Sequence, residues 1–148
     1  MRSRVLILAA CFFAGAIFCR ADDSRHVELK AVASTDSTEI HPDSVFEVTV
    51  SLMNPTNVVQ HVRIPDCGWD RVWRSNNRHV TWDFWDCDYN DVISVDIDPG
   101  DSYVFPKPLR MYVTGGTKES HIEFKMGFKE STFGKTLWSD PVGIDVIP

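Results

Sequence analysis

Cys67 and Cys87 constrain this chain more than any other pair of residues, because they enclose four of its five tryptophans. Two cysteines that reach an oxidising compartment are expected to form a disulfide, so the segment between them must bring its ends together. Asn76-Asn77-Arg78 lies at its middle, and asparagine tolerates the left-handed backbone that tight hairpin loops need. The segment is therefore predicted to be a β-hairpin latched at its open end by a Cys67–Cys87 disulfide.

Counting outward from that loop assigns each side chain of the predicted hairpin to one of two faces. Directly opposed residues of an antiparallel pair share a face. One face is predicted to bind a ligand unless a loop covers it: Trp69, Arg71, Trp73, Asp83 and Trp85. The other face is apolar and is expected to point to the core: Val72, Val80, Trp82 and Phe84. The alternative is a two-residue loop at Asn76-Asn77, which moves every side chain to the other face.

Residues 1–21 have the pattern of a secretory signal peptide, with a basic start, an apolar run from Val5 to Phe18, and Ala21 before the expected cleavage. The apolar run is too short for a stable membrane anchor. Lipidation at Cys11 or Cys19 is a rival interpretation, but Cys11 would divide the apolar run and Cys19 follows the bulky Phe18. Residues 22–148 are predicted to form one domain that is secreted or periplasmic.

The predicted mature chain is strongly acidic. The whole sequence carries 15 Lys and Arg against 21 Asp and Glu, a net charge of −6. The leader contains three arginines and no acid, so its removal leaves 12 basic residues against 21 acidic ones, a net charge of −9. Such a surface repels nucleic acid and anionic membrane, and neither is expected as a partner.

Apolar and polar residues alternate through the rest of the chain, which predicts antiparallel sheets packed on one side. The predicted strands lie within residues 27–33, 46–52, 58–64, 93–97, 103–113, 122–128 and 142–146. Turn signals separate them, above all Asp98-Pro99-Gly100-Asp101 and Gly115-Gly116. No window shows a sustained helical period. The pattern predicts an all-β fold, an immunoglobulin-like antiparallel β-sandwich that carries the latched hairpin.

Three short motifs between residues 44 and 113 resemble bacterial Ig-like domains related to the BsuPI-type proteinase-inhibitor domain. They are the strand Phe46–Asn54 with its Asn turn, Val72–Ser75, and the Asp98–Asp101 turn before an aromatic strand. The resemblance implies a β-sandwich and an inhibitor-like activity. The chain departs from that family in its export signal, in its cysteine pair, and at residues 64–67, where the family has a Phe-x-Ser-Gly-Gln segment.

Few other residues form a pattern typical of a chemical site. Asp86, Asp88 and Asn90 begin like a calcium loop, but Asp91 stands where that loop needs glycine and Ile97 where it needs glutamate. A solvated acidic loop is therefore preferred to a looser Ca²⁺ site, and no cofactor is predicted. No serine lies in a nucleophile elbow. None of the five histidines has metal-ligand spacing, and all are expected at the surface: His26, His41, His61, His79 and His121.

These patterns predict a secreted, non-catalytic binding module that binds a protein, in an inhibitor-like manner, through the Cys67–Cys87 hairpin. The alternative is a glycan-binding accessory domain that stacks sugars on exposed tryptophans. A small secreted hydrolase is a third hypothesis, because a catalytic triad can be assembled from distant residues. Trp82 and Trp138 are expected in the core.

Overall fold

Thirteen β-strands and one 3₁₀ helix form the regular structure of the computed structural model, which describes residues 28–83, 86–88, 91–129 and 134–148. The 3₁₀ helix covers Trp69–Arg71. Within these ranges there is no α-helix, and no helical segment has the length and apolar character needed to cross a membrane. The strands are β1 (Lys30–Ser34), β2 (Glu39–Ile40), β3 (Val45–Met53), β4 (Gln60–Pro65), β5 (Trp73–Ser75), β6 (Val80–Trp82), β7 (Val92–Ile97), β8 (Ser102–Val104), β9 (Leu109–Val113), β10 (His121–Phe124), β11 (Met126–Phe128), β12 (Leu137–Trp138) and β13 (Val142–Val146).

The central strand of the first layer is β3. Its first half pairs with β9 and its second half with β8, while β1 pairs along its other edge. β6 extends the sheet beyond β9. All of these pairings are antiparallel. Apolar residues at every second position of β3 point to the same side and are at most 3% exposed: Phe46, Val48, Val50 and Leu52. Val45, at the start of the strand, points to the other side and is 43% exposed.

The second layer consists of two three-stranded sheets that share one stretch of chain. β10 pairs with β13, whose end pairs in parallel with β2. After Lys125 the same chain continues as β11, which pairs with β12 and with β5. The backbone N–H of Ser139 donates to the carbonyl of Met126 at 2.9 Å and continues the ladder between β11 and β12 by one residue.

The two layers meet over aromatic residues. The rings of Phe46 in the first layer and Phe124 in the second have centroids 6.0 Å apart. Elsewhere in the core, Phe105 contacts Trp69 at 5.4 Å and Trp73 at 5.5 Å between ring centroids. Tilted and edge-on aromatic contacts contribute about 0.5–1.5 kcal/mol each beyond the area they bury. The predicted all-β class with antiparallel sheets is confirmed, and the two packed layers are consistent with an Ig-like sandwich.

A separate two-stranded ribbon, β4 with β7, brings the two cysteines together. Beyond its last pair, the Asp66 N–H donates to the Asp91 carbonyl, and the Asp91 N–H donates to Asp66 Oδ1, both at 3.0 Å. Cys67 and Cys87 lie next to these bonds and form a disulfide, with their Cα atoms 5.8 Å apart. The predicted Cys67–Cys87 bridge is confirmed. It closes the neck of the excursion that the chain makes between β4 and β7.

The hairpin predicted inside that excursion is wrong. β5 and β6 do not pair with each other, because Trp73 of β5 lies opposite Phe128 in the second layer. Thr81 of β6 lies opposite Tyr112 in the first layer. The chain between the two strands therefore crosses from one layer to the other, and the face counted across the hairpin does not exist.

The asparagine turn directs this crossing. The Asn76 N–H donates to the Lys125 carbonyl at 3.1 Å, and the Lys125 N–H donates to Asn76 Oδ1 at 2.6 Å. Asn77 Nδ2 donates to the Glu123 carbonyl at 3.0 Å. These bonds tie the turn to the junction of β10 and β11. A hairpin loop would have projected into solvent, and local turn propensity does not register this long-range anchor.

The tryptophans are distributed differently from the prediction. Trp69 and Trp73, assigned to the candidate binding face, are 2% and 1% exposed and belong to the core. Trp69 lies in the 3₁₀ helix, where side chains do not alternate with a period of two, so the count along a continuous strand fails. Trp82 is half-buried against the core, close to the expectation. Trp138, expected in the core, is 41% exposed.

The other predicted strands are found at or near their predicted positions, but the run 122–128 is divided at Lys125 into β10 and β11, and the short strands β2 and β12 were not predicted. The run 103–113 is two strands, β8 and β9, separated by the segment that contains Pro106 and Pro108. Gly100 and Gly116 have φ angles of 81° and 93°, which glycine adopts readily, as the two predicted turns require.

Candidate binding surface

The structure does not assemble the set of residues predicted to bind a ligand. Trp69 and Trp73 are core residues, and Trp85 lies outside the described residues. Arg71 and Asp83 are far less buried than the two tryptophans. Asp83, assigned to the same face as Arg71 by the prediction, forms an ion pair with Arg110 at 2.9 Å. An exposed face that needs Trp69 and Trp73 in solvent is therefore wrong.

The residues considered for calcium are only partly described. Asp86 and Asp88 are exposed, and Asn90 lies outside the described residues. Across the ranges that the structure describes, no three His, Cys, Asp or Glu side chains come together in a group that could hold a metal ion. The calcium alternative gains no support from this region.

Two of the histidines predicted at the surface pair with carboxylates across strands. His61 Nδ1 lies 2.6 Å from Asp96 Oδ1, and His121 Nδ1 lies 2.6 Å from Asp145 Oδ1. All four side chains are more than half exposed, so the surface prediction is confirmed for both histidines. Exposed ion pairs contribute about 0–1 kcal/mol, which is the contribution expected of each pair here.

An aromatic–cation pair does reach solvent, on the outer face of the second layer. Arg74, Gly127 and Trp138 are directly opposed in β5, β11 and β12, so they form one row across three strands. The guanidinium carbon of Arg74 lies 5.6 Å from the centroid of the Trp138 ring, within the range of cation–π attraction. Arg74 Nη2 also donates a hydrogen bond to Thr136 Oγ1. The half-exposed indole is thus held from one side by an arginine.

Glycine at the centre of the row provides the space that the indole occupies. A Cβ atom at position 127 would lie 2.5 Å from Trp138 Cζ3 and 2.6 Å from Trp138 Cε3. It would also lie 2.6 Å from Thr136 Cγ2. Glycine weakens a strand interior, and its presence there marks a close approach by another group. The group at Gly127 is the Trp138 ring.

Lysines flank this row. Met126 and Phe128 are fully buried, so strand alternation places Lys125 and Lys129 on the outer face with Gly127. Neither lysine forms an ion pair in the part of the chain that the structure describes, and the same holds for Arg74. We call this surface the Trp138 face and define it by six residues: Arg74, Lys125, Gly127, Lys129, Thr136 and Trp138.

The sequence prediction missed the Trp138 face because it placed Trp138 in the core. One signal was available. Gly127 interrupts the polar side of an alternating strand, between Lys125 and Lys129, and a strand glycine indicates that another group approaches the backbone closely. The identity of that group depends on which strand pairs with β11, and the local sequence does not specify it.

A polar depression on the outer face of the first layer is a second candidate. Its volume is about 560 Å³, and its charged lining residues are Asp36, Glu47 and Arg110. Arg110 is already paired with Asp83, which leaves two carboxylates. The aromatic lining residue, Phe46, is only 3% exposed and belongs to the core. The Trp138 face offers an exposed aromatic ring, a guanidinium and two ammonium groups, so it is the better candidate for binding a ligand.

Comparisons with known proteins found no relative: no protein-family model matches the chain, and no curated protein matches it. The resemblance to BsuPI-type domains stays a prediction. Functional inference rests on the geometry of the described residues.

Proposed function

We propose that the protein is an exported, non-catalytic binding module that recognises a protein partner through the Trp138 face. The observation that carries the proposal is the half-exposed Trp138 indole held by Arg74 in the middle of a sheet surface. Tryptophan and arginine are the residue types most enriched among the hot spots of protein interfaces. A partner that covers the ring would bury apolar area that the fold leaves in water.

The construction of the face also favours binding. Arg74, Gly127 and Trp138 lie on paired strands, and Thr136 accepts a hydrogen bond from Arg74. Side chains that are already ordered lose little conformational entropy when a partner docks, which otherwise costs about 0.5–1.5 kcal/mol per side chain. The face is thus preorganised before it meets its partner.

Export is part of the proposal. The Cys67–Cys87 disulfide is typical of proteins from oxidising compartments, and the leader pattern of residues 1–21 agrees with that location. A proteinase partner, which the resemblance to BsuPI-type domains implied, is one class of protein to include among the probes.

Glycan binding is the second candidate, and the same exposed ring is the observation that favours it. A sugar stacks on the open face of an aromatic ring. In this structure the guanidinium of Arg74 lies over the Trp138 ring, 5.6 Å from its centroid, and takes up part of that space. A protein partner can use the ring and the guanidinium together, so we favour protein binding.

A binding comparison tests the proposal. The oxidised protein is immobilised and exposed to extracellular proteins of its source, including secreted proteinases, and in parallel to an array of neutral and anionic glycans. We expect a protein that binds the wild type and a Lys107→Ala control, but not Trp138→Ala. Lys107 is exposed and lies outside the Trp138 face. Binding that survives Trp138→Ala, or binding only to glycans, would overturn the proposal.

A further inference from the structure

The positive charge around Trp138 indicates which class of protein segment the face binds. This inference rests on the proposed function. We propose that the Trp138 face binds an acidic segment of a protein, in which carboxylates flank an apolar or aromatic side chain. Arg74 lies 5.6 Å from the centroid of the Trp138 ring, and Lys125 and Lys129 lie two residues on either side of Gly127. None of these three cations is paired with a carboxylate of the described chain. The rest of the protein is acidic, with a net charge of −6 for the whole sequence.

Glu130, which follows Lys129, lies outside the described residues. Among the described residues, the acids nearest this surface in sequence and register leave its positive charge in place. Asp140 follows Trp138 by two residues, but it is paired with Lys30 at 3.0 Å. Glu123 continues the outward row of β10 beyond Lys125 and is exposed, so it limits the positive surface at that end. The positive surface therefore extends along the chain from Lys125 through Gly127 to Lys129. Arg74 and Trp138 lie on either side of Gly127, in the neighbouring strands β5 and β12.

These positions specify a spacing in the ligand. Lys125 and Lys129 flank β11 and are four residues apart, which corresponds to about 13 Å at roughly 3.3 Å per residue of extended backbone. An extended segment of five residues covers the same distance. Carboxylates at its first and fifth positions would meet the two lysines, and an apolar side chain at the third position would meet Trp138. The predicted pattern is Asp/Glu-x-apolar-x-Asp/Glu.

Electrostatics favours this occupant over a neutral segment. Charges on an exposed sheet act over about 10 Å at 0.1 M ionic strength, so the three cations act together across the face. Opposite charge on the partner raises the association rate and excludes cationic competitors. The rest of the protein is acidic and repels an acidic segment. Docking at the positive Trp138 face avoids this repulsion, so an acidic segment binds there in preference to other surfaces.

Selection from a random peptide library tests the inference. The oxidised wild-type protein is used as bait, and the enriched peptides are measured by fluorescence anisotropy at 50 and 300 mM NaCl. We expect sequences that match the acidic pattern, with a dissociation constant that rises at least about fivefold between the two salt concentrations. Trp138→Ala should weaken binding about thirtyfold or more. The double variant Lys125→Ala/Lys129→Ala should weaken it about tenfold and flatten the salt dependence.

Matched variants separate this inference from the proposed function. Lys107→Ala/Lys118→Ala removes the same charge from exposed positions outside the face and should leave affinity unchanged within about twofold. Peptides that lose binding on Trp138→Ala but are not acidic, or are insensitive to Lys125→Ala/Lys129→Ala, would overturn the inference and leave the proposed function standing. The absence of any peptide sensitive to Trp138→Ala would count against both.

Two other occupants would give distinct results. Heparin binding that depends on Trp138, without enrichment of acidic peptides, would assign the positive charge to an anionic glycan and overturn the inference. Self-association in sedimentation velocity that disappears with Lys125→Ala/Lys129→Ala would assign the face to a second copy of the chain. That result would overturn it as well.

Discussion

Trp69 and Trp73 provide a matched pair for testing how the core is packed. Both are at most 2% exposed, and both contact Phe105 with ring centroids 5.4 and 5.5 Å apart. They differ in the hydrogen bonding of their indole N–H groups. The indole N–H of Trp69 donates to the Pro65 carbonyl at 3.0 Å, whereas the indole N–H of Trp73 has no hydrogen-bond acceptor among the described residues. Replacing each by phenylalanine therefore changes similar volumes and different hydrogen bonding.

The expected free energies follow from that difference. Each Trp→Phe change leaves a cavity, and truncating a large aromatic to alanine costs about 3–5 kcal/mol, so the smaller Trp→Phe change should cost a fraction of this. Trp69→Phe also removes a hydrogen bond and leaves a buried carbonyl unpaired, at about 1–3 kcal/mol. Trp73→Phe removes a buried donor that has no acceptor among the described residues, which offsets part of the cavity cost. We expect Trp69→Phe to be the more destabilising by about 2 kcal/mol.

Urea denaturation of the oxidised protein measures this difference. With an m-value of about 2 kcal/mol per molar urea, a difference of 2 kcal/mol separates the two midpoints by about 1 M. The two variants must have equal m-values, so that the shift in midpoint reports stability and not a change in the unfolded state. Equal midpoints, or a lower midpoint for Trp73→Phe, would refute the assignment of hydrogen bonding in this part of the core.

Three further predictions concern the disulfide, a tyrosine and a buried asparagine. Replacing both Cys67 and Cys87 by alanine should lower the unfolding free energy by about 3 kcal/mol, because the bridge closes a loop of about 20 residues; a midpoint equal to that of the wild type would contradict this. Burial raises the pKa of Tyr103 above its usual value of 10.0, so the stability it contributes is complete below pH 10 and is lost as pH rises through the folded-state pKa. Absorbance titration at 295 nm should show a late-ionising tyrosine that Tyr103→Phe removes, and persistence of that phase would assign it elsewhere. The Asn54 side chain is 0% exposed and makes four hydrogen bonds, so Asn54→Ala should lower the unfolding free energy by about 3 kcal/mol or more in urea denaturation. As a control, replacing the exposed Asn57 by alanine should lower it by less than about 0.5 kcal/mol. Similar losses for the two variants would show that the Asn54 hydrogen bonds are not formed.

The strands could be predicted because their evidence is local. In β3 every second residue is apolar, and that period alone defines a strand with one buried side. The Cys67–Cys87 bridge was predicted correctly for a partly wrong reason. The cysteines are held together by the ladder between β4 and β7, and not by a hairpin between β5 and β6.

Strand pairing could not be predicted from the same local pattern. Asn76 and Asn77 have the composition of a hairpin loop, but their side chains bond to the backbone at Lys125 and Glu123, which lie more than 40 residues away. The exposed position of Trp138 follows from its pairing with Gly127. Both facts depend on contacts distant in sequence, and so the Trp138 face emerged only from the structure.

Mapping of a bound peptide by NMR tests the central claim most directly. Isotope-labelled oxidised protein is titrated with a peptide of the acidic pattern, and backbone and indole N–H signals are followed. We expect the largest shifts in β5, β11 and β12 and at the Trp138 indole, while the indole signals of Trp69 and Trp73 stay in place. Largest shifts on the outer face of the first layer, around Glu47 and Arg110, would contradict it.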